Sequence, residues 1–117
     1  MSQFSQSRNP QNLVSNIVGK KIYLEDMSKQ IIDTVKRIGA FQMAYADKLV
    51  WLIECADEDE LIGKLQELNR LGFIFEGGHS GYPPSDVFSL LLEKRNLSVK
   101  FKEVRWRGPG DWFIIER

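Results

Sequence analysis

Cysteine and histidine are almost missing from this chain: each occurs once among 117 residues, as Cys55 and His79. A single cysteine excludes an intrachain disulfide framework, and one cysteine with one histidine cannot close the four-ligand shell of a structural zinc site. Long apolar runs are missing too. No stretch approaches the about 20 apolar residues that cross a bilayer, and the opening MSQFSQSRNPQNLVSN lacks the apolar core of a signal peptide. These absences give the expectation of a cytoplasmic protein in a reducing compartment, with no membrane, no metal and no cofactor. Net charge is also absent, because sixteen basic and sixteen acidic residues cancel, which argues against nucleic-acid binding driven by overall charge. Neither G-x-G-x-x-G nor the P-loop pattern occurs.

What is present is ordinary globular material. An apolar fraction of 43% with 27% charged residues suits one folded domain of this length. The Ser-, Gln- and Asn-rich start reads as a polar tail over residues 1–16, followed by a single domain over 17–117. Charge is segregated along the chain: residues 1–44 carry six basic and three acidic groups, 45–87 carry three and nine, and 88–117 carry seven and four. Attraction between segments of one fold explains that pattern, and a charged patch that selects a partner explains it as well.

Apolar periodicity places a helix near 26–38, where Met27, Ile31, Ile32, Val35 and Ile38 share a stripe that ends at Gly39. A second helix near 58–71 begins with the capping-box spacing of Asp57 and Glu60 and ends at Gly72. A third near 85–95 follows the prolines Pro83 and Pro84. Strands are expected near 49–55, 73–76, 98–107 and 112–116, the last two joined as a hairpin by Gly108-Pro109-Gly110-Asp111. The run KKIYLE before the first helix reads either as an edge strand or as a lead-in. Residues 41–56 read in two ways: Phe41, Met43 and Tyr45 alternate as in a strand, while Phe41, Tyr45, Leu49, Leu52 and Ile53 also share a helical face. The first reading gives an α+β fold, a mostly antiparallel sheet of about four strands with three helices packed on it. The second gives a winged-helix-like body with a C-terminal hairpin.

Residues that carry chemistry are few. The loop EGGHSGYPPSDVF holds His79 beside Ser80 and Tyr82, but adjacency in sequence supplies neither an aligned nucleophile nor an orienting group, so the loop reads as a strand-to-helix connector. Asp57, Glu58 and Asp59 crowd the first turn of a helix, where the dipole favours acids without any catalytic role. In the C-terminal hairpin, a bulge near Lys102-Glu103 would align Lys100, Lys102, Arg105 and Arg107 on one solvent face, with Trp112 available for stacking. No catalytic residue is expected. The sequence points to a small non-enzymatic regulatory or adaptor protein that docks on a protein partner through two charged surfaces: Asp57, Glu58 and Asp59, and the basic hairpin. Nucleic-acid binding through that hairpin is the alternative. Neither the partner nor the oligomeric state is written in the sequence.

Overall fold

The structure is a computed structural model that describes residues 10–78 and 81–117. Its elements follow the order β1 (Leu13–Val18), β2 (Lys21–Glu25), α1 (Lys29–Arg37), β3 (Phe41–Tyr45), β4 (Lys48–Glu54), α2 (Glu58–Arg70), β5 (Ile74–Glu76), α3 (Pro84–Lys94), β6 (Lys102–Gly108) and β7 (Asp111–Glu116). All seven strands form one mixed sheet in the order β3-β4-β2-β1-β5-β6-β7. The broad α+β class holds with three helices, but the four-stranded, mostly antiparallel sheet does not.

Two features overturn it. Three further strands, β1, β2 and β3, precede β4, and β1, β5 and β6 run parallel to one another in the centre. A strand–helix–strand crossover returns the chain parallel to its start, and α3 makes such a crossover between β5 and β6. The winged-helix alternative fails because residues 41–56 form the β3–β4 hairpin, closed by the pair Tyr45↔Lys48 around a two-residue turn. Leu13–Asn16 belong to β1, so the expected tail boundary at residue 16 falls inside a strand.

The topology puts every helix on one side. β2 and β3 both run antiparallel to β4, so α1 connects parallel strands; α2 likewise connects β4 to β5, which run parallel. These two crossovers travel across the sheet in opposite directions from strands of opposite sense. With right-handed connections, both helices therefore reach the same face. The single hydrophobic core agrees: Val35 of α1, Leu61, Ile62, Leu65 and Leu68 of α2 and Phe88, Leu91 and Leu92 of α3 pack with Val14, Ile17, Ile22, Leu24, Ile53 and Phe75 of the strands. Phe75, Phe88 and Phe101 form its aromatic centre, with ring centroids 4.7, 5.4 and 4.8 Å apart. The β1–β5 contact that joins the two halves of the sheet has two register pairs, Leu13↔Ile74 and Val14↔Phe75.

Residues of the opposite parity face away from the helices. Leu13, Leu52 and Val104 are almost fully buried yet lie outside the main core. Their ladder partners are Glu25 and Ile74 for Leu13, Tyr23 and Phe41 for Leu52, and Glu76 and Ile114 for Val104.

Candidate functional site

The acidic start of α2 is occupied by the fold itself. Asp57 caps the helix by accepting from the Glu60 amide at 2.8 Å, and Glu60 reaches back to the Ala56 amide at 2.6 Å. Glu58 meets both Lys94 and Arg95 at the end of α3, at 3.1 and 3.3 Å, and Asp59 meets Arg95 at 2.7 Å. The acids of the middle segment thus tie α2 to the basic end of α3. Two of the three expected partner-binding acids already have cationic neighbours, and the third is a helix cap.

The basic hairpin is divided between the two faces. Its bulge falls between Trp106 and Gly108, not near Lys102-Glu103, so strict alternation from 102 to 106 leaves Lys102 on the helix-free face and Arg105 on the other. Arg105 Nε donates to Glu103 at 3.2 Å, and Arg107 bonds Asp111 at 3.3 Å while its guanidinium lies 4.7 Å from the Phe113 ring centre. Lys100 is exposed before the strand begins, where its carbonyl accepts from Asn69. Trp112 pairs across the hairpin with Trp106 on the helix-free face. The four cations therefore form no single ribbon.

A polar group that sequence reasoning left aside organises the loop after β5. Glu103 is 1% exposed and lies on the helix side of the sheet, where its Oε2 accepts from Ser85 Oγ at 3.1 Å and from Arg105 Nε at 3.2 Å. Its Oε1 lies 3.5 Å from the Arg117 guanidinium, which also bonds Asp86 at 2.9 Å. A buried carboxylate needs such partners to offset its lost hydration. The group fastens the first turn of α3 to β6 and the residue after β7, which makes it a structural clasp. His79 and Ser80, in the loop expected to be a connector, lie outside the described residues, and Tyr82 projects from that loop with 77% exposure.

The remaining feature is the helix-free face. Of the nine exposed large apolar side chains among the described residues, five lie there by register: Val18, Phe41, Met43, Trp106 and Ile114. Phe41 and Met43 stand toward one edge of the sheet, Trp106 and Ile114 toward the other. Between them is a shallow depression of about 400 Å³, lined by Ser15, Asn16, Val18, Tyr23, Glu25, Lys48 and Val50. It lies where Ser15, the extra residue of a bulge between Val14 and Asn16, interrupts the β1–β2 ladder. The readable signal for this face was the Phe41, Met43, Tyr45 alternation. The bulge concealed the rest.

Fold and surface together describe a two-layer α+β protein with one sheet face left bare among the described residues. Compared with protein-family models, curated proteins and solved structures, the chain matches none.

Proposed function

We propose that the chain is a non-enzymatic regulatory or adaptor protein whose helix-free sheet face docks on a folded protein partner. The observation that carries this reading is the set of five exposed apolar side chains on a face that no helix covers among the described residues, since exposed apolar area gathered on one surface marks interaction sites. Seven strands at about 4.8 Å spacing make the face about 29 Å wide, and strands of five or six residues make it about 17–20 Å tall. With side-chain relief, that approaches the roughly 800 Å² per partner of a standard interface. The partner that fits is apolar opposite both ends of the face and polar opposite the central depression. Charge favours protein over nucleic acid. On this face Lys21, Lys48 and Lys102 are matched by Glu25, Glu54, Glu76 and Glu116, a balance that repels phosphate as much as it attracts it.

The experiment is affinity capture from nuclease-treated native lysate with the parent chain, with Met43→Asp and Trp106→Asp, and with Leu90→Asp as a control on α3. Circular dichroism verifies that each variant is folded. The expected result is a stoichiometric protein that survives nuclease, is lost with either face variant and is retained by Leu90→Asp. Retention by both face variants, or loss on nuclease treatment, overturns the reading.

A further inference from the structure

We propose that the chain forms a two-fold dimer in which β7 pairs antiparallel with β7 of a second copy, centred on Ile114. This surface is the sheet edge, so the inference stands apart from the docking role given to the face.

Among the described residues β7 is the last strand in the sheet order. Phe101 and Arg117 exchange both backbone hydrogen bonds, at 3.0 and 2.8 Å. By alternation Phe113 and Ile115 also turn their amides toward β6, and Ile114 and Glu116 turn theirs out of the sheet. Edge strands of monomeric proteins are commonly blunted by lysine, proline or a bulge. The sequence DWFIIE has no lysine or proline, and the bulge of this hairpin lies in β6.

The side chains select a register. A two-fold axis normal to the sheet keeps both helix layers on one side and places residues of equal parity opposite each other. Centred on Ile114, it sets Phe113 opposite Ile115 and Asp111 opposite Arg117 of the second copy, twice over. That register uses all of 111–117, joins aromatic to β-branched side chains and closes each end with opposite charges, the pairs that stabilise antiparallel ladders. Trp112 then faces Glu116. Shifting by two residues puts Asp111 opposite Ile115 or Phe113 opposite Arg117, which breaks both charge matches. Asp111 and Arg117 each have intrachain partners, but a carboxylate accepts and a guanidinium donates several bonds. The other edge, β3 (FQMAY), carries no charge to fix a register. Pairing β3 of one copy with β7 of the next would be head-to-tail and would not close.

The test uses purified protein without any partner. Sedimentation over a concentration series is expected to show twice the 13.5 kDa chain mass. Ile114→Pro removes an outward donor without touching the β6 ladder, and is expected to give a folded monomer. Asp111→Arg and Arg117→Asp are each expected to weaken self-association, whereas mixing the two restores a dimer, because Arg then faces Asp at both ends. In a Cys55→Ser background, Ile114→Cys should form an intermolecular disulfide on oxidation, since directly opposed hydrogen-bonded residues have Cα atoms about 5.5 Å apart; Trp112→Cys should not. A parent chain that is monomeric throughout overturns the proposal. So does a dimer that is indifferent to Ile114→Pro and fails to cross-link at 114.

Discussion

The α-carbon of Gly77 lies so close to the Glu103 carboxylate that a β-carbon there would overlap both that group and the Ser85 hydroxyl. Gly77 donates its amide to the Val104 carbonyl at 3.1 Å, which fixes it against β6. Gly77→Ala is therefore expected to destabilise the protein by about 1–3 kcal/mol, as overpacking against a buried, hydrogen-bonded group does. Urea denaturation measures the change. A loss under about 0.5 kcal/mol, the range of ordinary surface substitutions, would show that Glu103 moves aside freely.

Glu103 itself offers a second test. Glu103→Ala leaves the Ser85 hydroxyl buried without its acceptor and removes the carboxylate shared by Arg105 and Arg117. The expected cost is about 1–3 kcal/mol, that of leaving one buried hydroxyl without its partner, because Arg105 and Arg117 both reach solvent. Combining it with Gly77→Ala should cost less than the sum of the single changes, because the alanine at 103 vacates the space the new methyl needs. Strict additivity in the double-mutant cycle would separate the two residues.

Burial raises the Cys55 thiol above its ordinary value; Glu60 and Asp57 add to the rise and Lys64 opposes it. The folded chain thus holds this proton to higher pH than the unfolded chain. The stability linked to it is complete below the unfolded thiol value and is lost as pH rises through the folded one. Alkylation by iodoacetamide at neutral pH should run several-fold slower in the native protein than in urea, because the thiolate is the reacting form. Equal rates would contradict the geometry around Cys55.

Ala46 has φ of 57° and Asp47 has no positive φ, so the β3–β4 turn places alanine where a type II′ turn favours glycine. Ala46→Gly should raise stability by about 1 kcal/mol by relieving that conformation. Thermal melting provides the measurement, and an unchanged or lower midpoint would refute it.

Much of the architecture was legible because it depends on local pattern. The capping spacing of Asp57 and Glu60 appears as two hydrogen bonds, and the observed α2, α3, β4 and C-terminal hairpin lie within a few residues of their sequence-derived positions. The first two strands were harder. β1 reads LVSNIV, and its bulge at Ser15 breaks the alternation that marks a half-buried strand. The hairpin signal nearby was Gly19, at φ of 63° in the two-residue loop between Val18 and Lys21. The clasp at Glu103 was not legible, because it unites residues from the loop after β5, α3, β6 and the residue after β7 that only the parallel crossover brings together. The hairpin cations were misassigned for a related reason: one bulge, displaced by a few residues, decides which face each occupies.

The narrow β1–β5 contact has a kinetic meaning. Two ladder pairs, at Leu13↔Ile74 and Val14↔Phe75, connect a four-stranded leaf to a three-stranded one, and the apolar core of the helices packs across that line. Native-state hydrogen exchange is therefore expected to resolve the molecule into two cooperative units with this line as their boundary, and uniform protection across it would refute that. The central strands, although farthest from either edge, are where the sheet parts with the fewest ladder pairs to break.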